Sequence, residues 1–205
     1  QYYFAEVQAG VAALVASGQI PELVLVGQGM VWMLEHDGAV KFGPLAIPGG
    51  ASFGSSPAIG NVDDDPELEF VVSSRTRLVV FEGDGTVAWT ALSPLPPQPN
   101  REVAAAVLFD FDGDGGSEVV AHDEQSLRIF SHGQTIFESR TWGAARGATV
   151  ADADGDGKAE IVVADNAHFL PAAAALLVFG DAADTWLRSR PIWNQPSAPS
   201  LARRL

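Results

Sequence analysis

Acidic side chains recur on alternate residues in one stretch between residues 150 and 165. They are Asp152, Asp154, Asp156 and, after Gly157, Glu160. Carboxylates at this spacing repel one another unless a cation lies between them, and oxygen-only donor sets rich in carboxylates are those that Ca²⁺ prefers. Gly157 allows a turn with positive φ, which brings the next carbonyl back toward the ion. The spacing therefore predicts a calcium loop that leads directly into a β-strand.

Two other stretches repeat this acidic pattern, and each also runs into an apolar segment. Their acidic or amide side chains are Asn61, Asp63, Asp65 and Glu69 in one stretch, and Asp110, Asp112, Asp114 and Glu118 in the other. An earlier copy, Leu14 to Glu22, keeps only its final glutamate and is expected to bind no metal. The four copies start at residues 14, 61, 110 and 152, so they are 47, 49 and 42 residues apart. That period is typical of β-propeller blades or a comparable β-repeat array.

The second half of each repeat predicts two more strands. Asp37-Gly38 and Asp84-Gly85 lie between short apolar runs and are strong hairpin signals. We therefore predict an all-β fold, a propeller-type array of about four four-stranded antiparallel blades. The predicted single domain covers residues 1–205, with repeats near 1–50, 51–100, 101–143 and 144–190 and a tail at 191–205. The segment Gln1 to Val7 is predicted to be a strand that completes a blade in the same chain or in a neighbour.

Other acidic-loop classes fit less well. An EF-hand needs a glutamate at loop position 12 and flanking helices, whereas these loops have Val72, Ala121 and Val163 at that position. A repeat-toxin β-roll needs tandem glycine-rich nonapeptides, and these loops are single and far apart. The simplest alternative is an Asp/Gly turn whose side chains cap their own backbone without metal. Three loops with the same ligand positions favour metal binding over that alternative.

Composition excludes several classes of protein. The net charge of −14 argues against a nucleic-acid backbone as the partner, since that requires clustered Lys and Arg. No apolar run approaches the roughly 20 residues that span a bilayer. The chain has no cysteine, so it contains no disulfide or thiolate metal site. Its four histidines are scattered without a zinc spacing, and the sequence contains no Gly-x-Ser-x-Gly turn for a nucleophilic serine. We therefore predict no catalytic residues and no enzymatic activity.

The loop pattern D-x-D-x-D-G-x-x-E followed by an apolar strand resembles the FG-GAP/VCBS repeats of integrin-α-like β-propellers. The resemblance covers roughly residues 10 to 180. It implies about three bound Ca²⁺ ions, held by the Asn, Asp and Glu side chains named above at loop positions 1, 3, 5 and 9. It further implies backbone carbonyl ligands at position 7, from Glu67, Gly116 and Lys158. The Asn61 copy departs from the family pattern because it has Pro66 where glycine is usual.

The resemblance also implies a secreted or cell-surface protein. The expected role is that of a non-catalytic, calcium-stabilised binding, adhesion or surface-assembly module. Its partner would be a protein or glycan at the cell surface, or further copies of the chain in a dimer or filament. One alternative is a lectin, with Trp142, Trp186 and Trp193 near the loops as a candidate sugar-stacking platform. The other is a calcium-dependent polysaccharide lyase, although no acid/base constellation is evident.

Overall fold

The computed structural model describes residues 11–14, 22–49, 54–63, 65–92, 104–123, 125–141, 147–164 and 176–189. All regular structure within these ranges is β-strand. Among them we find no helix with the length and hydrophobicity that a membrane crossing requires. The predicted all-β class is therefore confirmed. The predicted strand at Gln1 to Val7, together with Trp142, His168 and Trp193, lies outside the described residues.

Within these ranges fifteen strands form four antiparallel sheets, and in each sheet the strands are hydrogen-bonded in chain order. The first sheet contains β1 (Val11–Leu14), β2 (Glu22–Gly27), β3 (Met30–Leu34) and β4 (Val40–Ala46). The second contains β5 (Ala58–Gly60), β6 (Glu69–Ser73), β7 (Arg77–Phe81) and β8 (Val87–Leu92). The third contains β9 (Val107–Phe109), β10 (Glu118–His122), β11 (Ser126–Ser131) and β12 (Gln134–Arg140). The fourth contains β13 (Thr149–Ala151), β14 (Glu160–Ala164) and β15 (Leu176–Phe179).

The chain divides into two compact units. The first comprises residues 1–59 and 67–103 and includes the first two sheets apart from Gly60, the last residue of β5. The second comprises residues 60–66 and 104–205 and includes the third and fourth sheets. Each unit therefore has two sheets whose inner strands share one hydrophobic core.

The core of the first unit is built from the middle strands of its two sheets. Strands β6 and β7 are buried along nearly their whole length, whereas the outer strand β8 is largely exposed. Phe70 and Phe81 face each other across β6 and β7, with ring centroids 5.0 Å apart. Aromatic pairs in direct cross-strand register stabilise sheets in this way. Val24, Val31 and Met33 of the first sheet belong to the same cluster.

The core of the second unit likewise combines its two sheets. Its buried members come from the middle strands and from the loops beside them, and they are Phe109, Phe111, Val120, Leu127, Ile129, Ala148, Ala159, Ile161 and Val163. Phe111 and Ala159 are themselves loop residues of the acidic motifs. Each of these acidic loops is therefore anchored to the hydrophobic core through an apolar residue next to a carboxylate, Phe111 beside Asp110 and Asp112, and Ala159 beside Glu160.

Both predicted hairpins are confirmed. In each, a glycine with positive φ closes the turn, Gly38 at 84° and Gly85 at 88°. The two turns also have the same backbone hydrogen bonds, from Gly38 to the carbonyl of Glu35 and from Gly85 to that of Glu82. Local sequence is sufficient here because the turn type depends on a single residue that tolerates the left-handed region.

The prediction of four strands in every sheet needs a correction. The fourth sheet has three strands in the part of the chain that the structure describes. After β15, residues 180–189 do not return along that strand. Leu187 instead makes backbone hydrogen bonds to Phe111 and Ala159, in the two acidic loops of the second unit. The backbone groups of Leu187 are thus paired with the acidic loops and not with the edge of the sheet.

A glutamate begins the second strand of all four sheets. These residues are Glu22, Glu69, Glu118 and Glu160. The last three are buried, with exposed fractions of 0%, 4% and 8%. Carboxylates are seldom so buried without a compensating partner. Each sheet therefore places a glutamate where an acidic loop turns into a strand, and the three buried ones require compensation.

Candidate metal sites

The structure brings carboxylates together in three groups. In each group the ligand-type oxygens lie within 4.8 Å of one another, and the groups are Glu69 and Glu82 in the first unit, and Asp110, Asp112 and Glu118, and Asp152, Asp154 and Glu160, in the second. The predicted side chains at loop positions 1, 3 and 9 thus converge in both loops of the second unit. Three groups of the described residues could therefore hold a metal ion.

The Asp110 loop is organised by hydrogen bonds from its own backbone to its acidic side chains. Glu118 accepts the N–H of Phe111 at 2.8 Å. The two carboxylate oxygens of Asp110 accept the N–H groups of Gly113 at 2.6 Å and Gly115 at 3.2 Å. These bonds wrap the chain around Asp110 and bring the start and the end of the loop together.

The Asp152 loop has the same hydrogen bonds at the same positions. Glu160 accepts the N–H of Ala153 at 2.7 Å. Asp152 accepts the N–H groups of Gly155 at 2.7 Å and Gly157 at 3.0 Å. Two stretches with different intervening residues therefore adopt one geometry, which depends on the residues at positions 1, 4, 6 and 9.

Glycines at positions 4 and 6 permit this wrapping. In the Asp152 loop, Gly155 and Gly157 have φ values of 89° and 90°. In the Asp110 loop, Gly113 and Gly115 have values of 84° and 103°. The prediction of a positive φ at Gly157 is confirmed. The equal requirement at position 4 was missed, although its signal was present in the sequence as a second glycine in both loops.

In these two loops the aspartates predicted at position 5 are exposed, and Gly116 and Lys158 at position 7 are half-buried. The side chain of Asp114 accepts the N–H of Gly116 at 2.8 Å, and that of Asp156 accepts the N–H of Lys158 at 2.7 Å. Neither aspartate belongs to the converging groups among the described residues. Their role as ligands, and that of the position-7 carbonyls, stays a prediction.

The Asn61 loop shares only part of this geometry. The side chain of Asp63 accepts the N–H of Asp65 at 3.0 Å, as its counterparts do in the other loops. Asn61 differs, since its side-chain amide donates to the carbonyl of Asp65 at 2.5 Å. Pro66 has no N–H and so cannot supply the donor that glycine supplies at position 6 elsewhere.

Glu82 is a candidate ligand that the sequence pattern did not reveal. It lies in the hairpin after β7, and one of its carboxylate oxygens lies within 4.8 Å of one of Glu69. From the sequence, Glu82 could be assigned only to the hairpin that contains Asp84-Gly85. Glu82 lies outside the acidic motif, so the spacing of the motif does not reveal it. The pairing of β6 with β7 brings the hairpin close to the start of β6.

The electrostatics of the Asp110 loop favour a bound cation. Burial raises the pKa of Glu118 to about 7, an effect partly offset by the N–H of Phe111 and reinforced by the negative charges of Asp112 and Asp110. A positive charge among these groups would stabilise the ionised carboxylate. The donor set is made of carboxylate oxygens, and these suit hard cations such as Ca²⁺. The residues therefore fit the predicted ion.

Trp186 lies beside this loop but is engaged in packing. Its ring contacts the ring of Phe111, with centroids 4.4 Å apart. It is half-buried against the core of the second unit. These contacts match the burial expected of a structural tryptophan more closely than the exposed face that a sugar-stacking platform needs.

No family model and no curated protein sequence matches the chain. Its fold is similar to the crystal structure of the V. cholerae biofilm matrix protein Bap1, with a TM-score of 0.51 and 17% identity over 87% of this chain and 31% of that one. It is also similar to a protein of unknown function from Bacteroides caccae, with a TM-score of 0.52 and 12% identity over 91% of this chain and 62% of that one. The chain thus spans less than two thirds of either structure. At these identities the similarity concerns the fold alone.

Proposed function

We propose that the chain is a calcium-stabilised, non-catalytic module of an extracellular surface or matrix protein. The observation that carries this proposal is the repeated loop geometry. Two loops of the second unit place carboxylates from positions 1, 3 and 9 within 4.8 Å of one another, with matching backbone hydrogen bonds. The proposed fold is a β-propeller-type array of the FG-GAP/VCBS kind.

The similarity to Bap1 supports the extracellular part of the proposal. Bap1 is named as a biofilm matrix protein. A matrix or surface module meets calcium near 10⁻³ M, which suits extracellular sites with a Kd of about 10⁻⁴ to 10⁻³ M. In this proposal the partner is a surface protein, a surface glycan or another copy of the chain.

The main role of the ion is structural. When bound, Ca²⁺ supplies the positive charge that the converging carboxylates share. The chain supplies the rest, because Glu118 and Glu160 are each both the last residue of an acidic loop and the first residue of a buried strand. Loss of the ion leaves these buried carboxylates without that charge, so stability should fall.

Calcium removal tests the proposal. At calcium about tenfold above Kd, each site contributes about 1.4 kcal/mol, or about 4 kcal/mol for three sites. At about 2–4 °C per kcal/mol for a chain of this size, excess EDTA should lower the Tm by roughly 10 °C. Differential scanning calorimetry in EDTA, in calcium and in magnesium measures this.

Two results would contradict the proposal. One is an unchanged Tm in EDTA, which would remove the structural role of calcium. The other is half-saturation below about 10⁻⁶ M, which belongs to intracellular calcium proteins and not to extracellular modules. Light scattering with and without calcium then shows whether self-association depends on the ion.

A further inference from the structure

One segment of the second unit lies between its two acidic loops. The backbone N–H of Leu187 donates to the carbonyl of Phe111 at 2.8 Å. The carbonyl of Leu187 accepts the N–H of Ala159 at 3.1 Å. Phe111 is the second residue of the Asp110 loop, and Ala159 is the eighth residue of the Asp152 loop. A single residue therefore shares its two backbone groups between the two loops.

Apolar contacts fix this segment to the Asp110 loop. The ring of Trp186 lies 4.4 Å from the ring of Phe111, at an interplanar angle of 50°. Leu187 packs beside Gly113, since a Cβ added at Gly113 would lie 3.3 Å from the Cδ2 atom of Leu187. Trp186 and Leu187 both pack against the core cluster that contains Phe111 and Ala159.

Polar contacts fix the same segment to the Asp152 loop. The ammonium of Lys158 donates to the carbonyl of Asp184 at 3.1 Å. The backbone of Lys158 also forms an isolated antiparallel β-bridge with the backbone of Arg188. Before the segment, Asp181 closes the turn that follows β15 by accepting the N–H of Thr185 at 2.8 Å. We call residues 184–188 the strap.

The strap contacts residues that adjoin the candidate ligands. Phe111 lies between Asp110 and Asp112, and its N–H is the donor to Glu118. Ala159 immediately precedes Glu160. A cation that orders one loop therefore also orders the strap, and the other loop then loses less conformational freedom when it binds.

We propose that the strap couples the two loops, so that cation binding at either one raises the affinity of the other. The proposal rests on the calcium function proposed above. Couplings of this kind change affinity by about 5- to 150-fold, and the factor must be the same in both directions.

The experiment is a calcium titration of the ¹⁵N-labelled full chain, followed by NMR. The amides of Gly113 and Gly115 report on the first loop, and those of Gly155 and Gly157 report on the second. In the variant Asp152→Asn/Asp154→Asn, the Kd of the first loop should rise about fivefold or more. The reciprocal variant, Asp110→Asn/Asp112→Asn, should weaken the second loop by the same factor.

Strap variants separate mechanical coupling from charge. The removed aspartates also act through space, and this contribution is screened by salt and present in every background. Trp186→Ala changes no charge. In this background, Asp152→Asn/Asp154→Asn should raise the Kd of the first loop by about twofold or less, which is the part that charge alone supplies. Ala183→Ser, an exposed neutral change just before the strap, should keep the full effect. Leu187→Ala serves in place of Trp186→Ala if the metal-free spectrum shows that the latter is unfolded.

Each result bears on the proposal. An unchanged Kd at the first loop after loss of the second would overturn the coupling and leave the calcium function intact. The same rise in Kd in the wild-type and strap-variant backgrounds would also overturn it, since charge would then account for the whole effect. Absence of any calcium response at millimolar concentration would overturn the proposed function, and the coupling with it.

Discussion

Glu22 and Glu118 occupy the same place in two different sheets, as the first residue of the second strand. Glu22 forms an ion pair with Lys41, and its side chain is 16% exposed. Glu118 is 4% exposed, and the charged groups that shift its pKa are Asp112 and Asp110. One sheet thus compensates its glutamate with an ammonium group. The other places its glutamate beside two further carboxylates, whose negative charges add to the effect of burial in raising its pKa.

This difference is in keeping with our prediction that the first copy of the motif, which keeps only its glutamate, binds no metal. Lys41 is one of only two lysines in the chain. It lies on β4, where it reaches the start of β2. A glutamate begins the second strand of all four sheets, whereas the charged neighbours of Glu22 and Glu118 differ in sign. Variants that change the surroundings of the two kinds of glutamate separately test this difference.

The largest effect is expected for the double variant Glu118→Gln/Glu160→Gln. It removes a buried, predicted ligand from each loop of the second unit, so calcium should stabilise the protein by about 3 kcal/mol less than it stabilises the wild type. The rise in Tm on addition of calcium should therefore be smaller in this variant than in the wild type by roughly 6–12 °C. Calorimetry with and without calcium measures the difference.

Glu22→Gln is the matched control for that variant. It changes the same residue type at the same strand position, but its partner is Lys41. The stabilisation by calcium should therefore equal that of wild type. If calcium stabilisation fell equally in the control, the distinction between the two kinds of sheet would be wrong.

The second prediction concerns pH in the metal-free protein. The folded-state pKa of Glu118, about 7, lies above its ordinary value of 4.5. The folded state therefore holds this proton more tightly than the unfolded state. The resulting stability is fully present below pH 4.5 and is lost as the pH rises through about 7. In EDTA, this carboxyl should contribute about 1–2 kcal/mol more at pH 5.5 than at pH 8.5, after allowance for solvent screening.

Calcium should reverse this pH dependence at the loop, because the ion needs the ionised carboxylate. Chemical denaturation between pH 5.5 and 8.5, with EDTA or with calcium, measures both slopes. Glu118→Gln cannot titrate at this position, so its slope in EDTA should lack this contribution. Equal slopes for the wild type and this variant would show that Glu118 is not the group responsible.

The smallest effect is expected for Lys41→Met. The side chain of Lys41 is 39% exposed, and exposed ion pairs contribute about 0.2–1 kcal/mol. The loss should be the same with and without calcium, because the pair lies in a sheet that we expect to bind no ion. Urea denaturation in both conditions measures this. A larger loss in calcium alone would instead connect Lys41 to a metal site.

The local features of the fold were largely predictable from the sequence. The repeat spacing indicated four sheets, and the Asp-Gly pairs located two hairpins, because both depend on residues close together in the chain. The convergence of Asp152, Asp154 and Glu160 also followed from spacing, since a nine-residue loop with glycines has few ways to close. The strap and Glu82 could not be predicted, because their contacts join residues far apart in sequence.

The sequence by itself determined which residues carry charge, how often the acidic loop recurs and where strands begin. These follow from side-chain type and from the few backbone conformations that glycine-containing loops permit. Only the tertiary structure decided how each strand-initial glutamate is compensated. Lys41 reaches Glu22 from a strand 19 residues away, whereas the core places Glu118 beside two aspartates. Pairing of strands and burial of the core set those distances, and the energy of a buried charge depends on its distance from the nearest opposite charge.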